Sequence, residues 1–164
     1  MVATTRSGSA AVTLPADTQI LITREFAAPR HLVFRAYTTP ELIRRWWAGR
    51  RGQVTSAEVD LRVGGSWRYV MVTPAGFEVA FHGVYREIVE NERIVTTEVF
   101  EGAPESGGDV VNIVTLTESD GRATLSILVE CPNRETRDLI IESGMEGGMQ
   151  EGMDLLEEIA ISLR

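Results

Sequence analysis

The chain has 164 residues, 43% hydrophobic and 24% charged, the composition of one globular domain with its own core. Sixteen arginines and no lysine stand against 24 acidic residues, and the net charge of −8 excludes a general affinity for nucleic acid through phosphate neutralisation. A single cysteine, Cys131, excludes an internal disulfide and a cysteine-cluster metal site, and no apolar run reaches the ~18 residues of a membrane span.

Residues 1–18 are rich in Ser, Thr and Ala, show no periodicity and contain no apolar stretch of signal-peptide type. They are expected to form a disordered leader, with one domain over 19–164 and the cytoplasm as its address. From Gln19 to Phe26, apolar and polar residues alternate as in a strand, and Ala27-Ala28-Pro29 ends it. Pro29 suits the first position of a helix whose apolar face is Leu32, Val33, Ala36 and Tyr37. A second short helix follows, with Thr39 as N-cap, Pro40 as first residue, and Leu42, Ile43, Trp46 and Trp47 at helical spacing.

After Gly49 the period changes to two. Strands are expected at Val54–Asp60, Ser66–Thr73, Phe77–Val89, Arg93–Phe100, Asp109–Glu118 and Arg122–Cys131. Short turns separate them, among them the glycine-bearing loop Glu101–Gly108 and Asp120-Gly121, the strongest hairpin signal in the chain. This is an antiparallel meander. A helix closes the chain: Asn133 can cap it, and the pattern continues to Leu163, about 30 residues or about 45 Å. The expected architecture is α+β, a curved sheet of about seven strands gripping a long C-terminal helix, with two short helices at one end.

The C-terminal helix carries Gly144, Gly148 and Gly152 at successive i+4 positions, with Gly147 beside them. Four glycines cost an isolated helix about 3–4 kcal/mol relative to alanine, so the fold must offset that. Close backbone approach or a kink is one reason for them. The other is space for an apolar guest, which adaptable Met145 and Met149 would border.

Five ordered blocks carry a resemblance to a known family. They are Ala28-Pro29-Arg30 with Leu32-Val33-Phe34-Arg35-Ala36; Thr39-Pro40-Glu41-Leu42 with Arg45-Trp46-Trp47; and Asp60-Leu61-Arg62-Val63-Gly64-Gly65 with Trp67-Arg68. Gly83-Val84-Tyr85-Arg86-Glu87-Ile88 and Ser143-Gly144-Met145-Glu146-Gly147-Gly148-Met149 complete the set. The chain from Gln19 to Leu163 resembles the family named after the activator of the heat-shock-protein-90 ATPase, part of the START-like superfamily with the helix-grip fold of the birch-pollen allergen. Its bacterial members commonly have no assigned reaction. The resemblance implies a hydrophobic ligand held between sheet and helix. Relatives often carry Gly-Trp where this chain has Gly148-Met149, so a flexible side chain replaces an aromatic wall.

Two functions from different classes follow. One is a non-catalytic module for a small hydrophobic or aromatic ligand, lined by Trp46, Trp47, Trp67, Tyr69, Met71, Phe81, Phe100, Met145 and Met149. An anionic group on that ligand would suit Arg44, Arg45, Arg50 or Arg51. The other is an enzyme of polyketide-cyclase type in which His82 or Glu98 moves a proton. A chaperone-associated role rests on the family name. Against the enzyme, His82 reads as a structural histidine and Glu98 as an outward, solvated acid, with an inward carboxyl of raised pKa as its alternative. Asp60 and Arg62 read as an ion pair stabilising a turn. Neither a metal nor another cofactor is implied, and a homodimer is compatible with the sequence.

Overall fold

The computed structural model describes residues 9–102 and 108–164. In chain order the elements are β1 (Ala11–Thr13), β2 (Gln19–Phe26), α1 (Arg30–Thr38), α2 (Pro40–Trp46), β3 (Gln53–Val59) and β4 (Ser66–Val72). They continue with β5 (Glu78–Val89), β6 (Arg93–Phe100), β7 (Val110–Ser119), β8 (Arg122–Glu130), α3 (Arg134–Glu142) and α4 (Met145–Ser162). Every strand pairing is antiparallel, in the order β1-β2-β8-β7-β6-β5-β4-β3. The chain thus passes from one edge of the sheet to the other through α1 and α2, and the meander then builds back to β2. α4 packs on α1 and α2 above the inner face.

The expected α+β sheet is present, with two corrections. Among the described residues the sheet has eight strands, because Ala11–Thr13 lies inside the stretch expected to be a leader and pairs with Leu21–Thr23. Three residues are too short to display a period of two. Their anchor is also distant in sequence, since the Gln150 amide bonds both the N–H and the carbonyl of Ala10, at 3.0 and 2.8 Å. Residues 1–8 of that leader, and residues 103–107 of the Glu101–Gly108 loop, lie outside the described residues.

The second correction concerns the C-terminal helix, which is two helices rather than one. Asn133 caps α3 as expected, its side chain accepting from Thr136 N at 2.8 Å. Gly144 then takes the left-handed conformation, φ 81°, which stops α3 and starts α4 in a new direction. Local reading succeeded better at the turns: Asp120 and Gly121, at φ 53° and 75°, close a two-residue hairpin between Ser119 and Arg122. Arg62 and Asp60 pair at 2.9 Å beside their turn. Pro29 sits at the N-cap of α1 rather than one residue inside it.

The glycine row is explained by close approach. A side chain at Gly152 would meet the Trp46 carbonyl at 3.0 Å, and Gly147 lies under the Arg51 guanidinium. A Cβ at Gly49, whose φ is 59°, would likewise come within 2.9 Å of the Cβ of Glu151. These residues therefore let the segment after α2 lie on α4. Gly144 and Gly148 are the exceptions: open space surrounds Gly144, which is required by its φ of 81°, and a Cβ at Gly148 would make only an ordinary contact with Arg51 Cδ at 3.6 Å. Gly148→Ala is thus expected to stabilise the protein by about 0.5–1 kcal/mol through helix propensity, while Gly152→Ala destabilises it. Urea midpoints of the two variants check this contrast, and a loss of stability in Gly148→Ala would refute it.

Candidate functional site

Strand register decides which side chains face the helices. Ile20, Ile22, Arg24 and Phe26 of β2 pair with Val129, Ile127, Leu125 and Ala123 of β8, and all but Ile127 are fully buried. Continuing across the sheet, Asn112 and Val114 pair with Thr96 and Ile94, and Glu98 pairs with Val110. Trp67, Tyr69 and Met71 pair with Gly83, Phe81 and Val79. The inner face is therefore apolar at its β2–β8 side and aromatic at its β4–β5 side.

The candidate lining residues divide accordingly. Trp46 is a core residue: its indole N–H donates to the Ala36 carbonyl at 2.9 Å and its ring stacks on Tyr37 at 5.3 Å. Trp67 is also pinned, donating to the Thr97 carbonyl at 3.2 Å, with its ring 4.8 Å from Tyr69. Trp47, at the end of α2, is half-buried and rests its ring against the edges of Tyr69 and Phe81, at 5.4 and 5.5 Å. Phe81 stacks on Phe100 at 5.0 Å, and Phe100 is 47% exposed. Met71, Met145 and Met149 are half-buried against the core. Trp47, Tyr69, Phe81 and Phe100 thus form one continuous aromatic cluster that runs from the interior to the surface.

Beside this cluster stands a carboxyl group. Glu98 points inward, a correction to the outward reading, because its register places it on the face of Ile94 and Thr96. Burial pushes its pKa up from the ordinary 4.5 to about 6, although the Asn112 side chain hydrogen-bonds the carboxylate and partly offsets this. The hydroxyls of Tyr37 and Tyr69 feel its charge, and that of Tyr85 lies beside Tyr69. Burial raises all three, Tyr85 to about 12, and the Tyr69 and Tyr85 hydroxyls bond each other. Cys131, buried at the end of β8, is raised by burial as well and feels the Glu98 charge. Sequence reading passed over Asn112 and Tyr85 as site residues. A lone amide inside Val110-Val111-Asn112-Ile113-Val114 was the available signal.

The raised pKa has a measurable consequence for stability. The folded protein binds the Glu98 proton more tightly than the unfolded chain, so the contribution of Glu98 to stability is greatest below about pH 4.5 and declines as pH rises toward about 6. The decline amounts to about 2 kcal/mol at about 1.4 kcal/mol per tenfold change in proton affinity. Glu98→Gln removes this titration. Denaturant midpoints of the variant should match wild type near pH 4.5 and exceed it by about 1–2 kcal/mol at pH 8. A difference that does not change with pH would contradict the raised pKa.

His82 is not part of this site. It faces the opposite side of the sheet, paired with Val99, and its Nδ1 lies 2.9 Å from Glu101 Oε2. Arg68 grips the same carboxylate through Nε and Nη2 at 2.8 and 2.9 Å. The Arg68 and His82 hydrogen bonds hold the Glu101 pKa down at about 2, a pattern that fits a surface ion-pair network.

Free space beside the aromatic cluster is limited. A narrow crevice with no room for a water molecule lies between Phe34, Tyr37, Ile94, Val114 and Leu116. An open hollow of about 310 Å³ lies at the rim, bordered by Arg50, Gly52, Gln53, Val72, Thr73 and Pro74. Of the arginines offered for an anionic group, Arg50 borders this hollow, Arg51 pairs with Glu151 at 3.5 Å, and Arg44 reaches the Thr55 carbonyl at 3.4 Å.

An antiparallel sheet curled toward a C-terminal helical pair, with an aromatic and carboxyl-bearing inner face, is consistent with the helix-grip class of α+β proteins. Residues 27–160 match the family described as activator of Hsp90 ATPase homolog 1-like protein, and the chain belongs to that family. A crystal structure from Rhodobacter sphaeroides is similar with a TM-score of 0.85 at 23% identity, covering 94% of this chain and 99% of that one. A Chromobacterium violaceum structure reaches 29% identity with a TM-score of 0.72, over 88% of this chain and 98% of that one. A protein described as AHSA1-like, from Aeromonas hydrophila, is 19% identical with a TM-score of 0.61, covering 87% and 93%. No curated protein matches the sequence.

Proposed function

We propose that this protein is a binding module for a small hydrophobic or aromatic molecule held between the inner face of the sheet and the C-terminal helices. The observation that carries the reading is the aromatic cluster of Trp47, Tyr69, Phe81 and Phe100, which extends from the buried inner face to a ring that is 47% exposed. Aromatic side chains supply large contact area with little rotamer freedom to lose, and a cluster half open to water is where an apolar guest gains most from burial. Membership of the family supports the same class of function.

The test pairs two measurements. Native mass spectrometry of freshly purified protein should show a co-purifying small molecule, and titration with an environment-sensitive apolar dye should shift tryptophan fluorescence saturably. Neither an adduct nor a saturable shift would count against a binding module.

A second reading is favoured by one observation, the inward Glu98 with its pKa near 6. A carboxyl with a pKa close to the working pH suits general acid–base catalysis, so an enzyme of polyketide-cyclase type would use Glu98 and not His82. Turnover of polyketide-like substrates that disappears in Glu98→Gln would support it.

A further inference from the structure

Positive charge gathers at one corner of the protein. From Glu41 to Arg51 four arginines stand against one acid, in a chain whose net charge is −8. Most arginines of the described residues face a carboxylate, whereas Arg44, Arg45 and Arg50 have no acidic partner among the described residues. Arg44 bonds the Thr55 carbonyl at 3.4 Å, and Arg45 and Arg50 are exposed. The backbone that carries Arg50 is nonetheless held. Its N–H donates to Glu151 Oε1 at 3.1 Å and Arg51 pairs with the same carboxylate, so Glu151 fixes the loop and leaves the Arg50 guanidinium unpaired among the described residues.

Arg50 borders the open hollow of about 310 Å³, together with Gly52, Gln53, Val72, Thr73 and Pro74. Gln53 is opposite Val72 in the register of β3 and β4, so their side chains share one face, and β3 ends the sheet. The polar side chains around the hollow can all donate. A guanidinium does nothing else, and the Gln53 amide carries two N–H groups. Thr73 Oγ1 already accepts from Phe77 N at 3.1 Å, which leaves its proton to give. No carboxylate of the described residues borders the hollow. Glu78, opposite Val72 on β5, belongs with Glu58 and Glu101 to the acids around Arg68.

We propose that this hollow binds a small organic oxyanion, a phosphate monoester or a carboxylate, whose charged group pairs with Arg50 and accepts from Gln53 and Thr73 while its carbon body lies on Val72 and Pro74. Oxyanions match the planar donor fork of arginine, and the pairing is charge-assisted. A volume of about 310 Å³ is at the lower end of small-molecule sites and several times what one phosphate group fills, which leaves room for a body beside the charge. A long polyanion would meet the acids around Arg68 and the net charge of −8, so the site suits one charged group. Arg44 and Arg45 raise the local potential without touching the ligand. This surface site is separate from the interior site of the binding-module reading and does not depend on it.

The experiment follows backbone amide signals by nuclear magnetic resonance during titration with cyclohexyl phosphate, cyclohexanecarboxylate, neutral cyclohexanemethanol and inorganic phosphate. At least one organic anion should shift Gly52, Gln53 and Thr73 saturably, and which one does so identifies the charged group. Cyclohexanemethanol should leave these signals in place. Arg50→Ala should weaken binding by about five- to tenfold, the loss expected on removing one charge-assisted hydrogen-bonding group. Arg86→Ala, which removes an exposed arginine already paired with Asp109 at 3.1 Å, should leave the affinity unchanged. Equal affinity of wild type and Arg50→Ala would overturn the site, as would the absence of a saturable shift with either organic anion. Inorganic phosphate binding as tightly as the organic anions would overturn the role of Val72 and Pro74, and with it the organic ligand. The dye titration of the interior does not involve this hollow, so its result distinguishes failure of this site from failure of the binding module.

Discussion

Arg24→Ala should destabilise the protein by about 3–5 kcal/mol, enough to remove a large part of the stability of a domain this size. The side chain is 1% exposed and lies on the inner face of β2, a position that alternation alone would assign to an aliphatic residue. Its Nη1 meets Asp154 at 2.7 Å and its Nη2 meets Glu157 at 3.2 Å, both on α4. The guanidinium also lies 4.9 Å from the centre of the Phe26 ring. Glu157 extends the link by accepting from Ala27 N at 2.9 Å, so one arginine ties β2 to α4 and to the turn leading into α1. Truncation leaves the poorly hydrated Glu157 carboxylate without its cation and opens a cavity as well. The pair itself is not ideal, since Arg24 Nε has no partner among the described residues. Hence Arg24→Met combined with Glu157→Gln should recover most of the loss, because replacing both members of a buried pair is far cheaper than removing one. Chemical denaturation of the three proteins decides the matter. A loss below about 1 kcal/mol for Arg24→Ala would show that the ion pairs do not hold α4.

Arg24 also shows where sequence reading stops. The residues alternate on either side of it, so the strand was legible, but nothing local indicates that its charge is matched 130 residues later on α4. The same holds for β1, whose order comes from Gln150 and β2 and not from any pattern of its own. Features set by neighbours in sequence were read correctly: the Asp120-Gly121 hairpin, the Asn133 cap, the Asp60–Arg62 pair. The aromatic residues were recognisable as a set of candidates. Their division into pinned Trp46 and Trp67 and loosely held Trp47 was not, because it depends on which carbonyls lie within reach across strands and helices. The break at Gly144 was hidden for a related reason. A glycine in a helical pattern is equally compatible with continuation and with a left-handed stop, and only the packing of α4 on α1 and α2 selects the second.

The orientation of Glu98 was a question of register, which a one-residue slip would invert. Near it the register of β5 against β6 shifts between Tyr85 and Glu87, a bulge that no residue pattern announces. That neighbourhood supplies the second large prediction. Gly83→Ala should destabilise the protein by at least about 3 kcal/mol, even though alanine is better than glycine in an ordinary strand. A Cβ at position 83 would fall well inside contact with the Thr97 carbonyl and only 2.7 Å from Trp67 Nε1. The Trp67 indole crosses β5 at this glycine to donate to that carbonyl, 3.2 Å away. The methyl group would have to displace backbone, push the indole aside and break its hydrogen bond, and Trp67 is 6% exposed with no room to retreat. Because the movement would begin beside Glu98, the tryptophan near-ultraviolet circular dichroism should change along with the melting temperature. Gly76→Ala is the control: its φ of 88° strains any side chain, but open space surrounds it, so the loss should be smaller and the near-ultraviolet signal unchanged. Equal losses in the two variants would mean that backbone conformation, and not the crossing of Trp67 over β5, is what requires glycine at position 83.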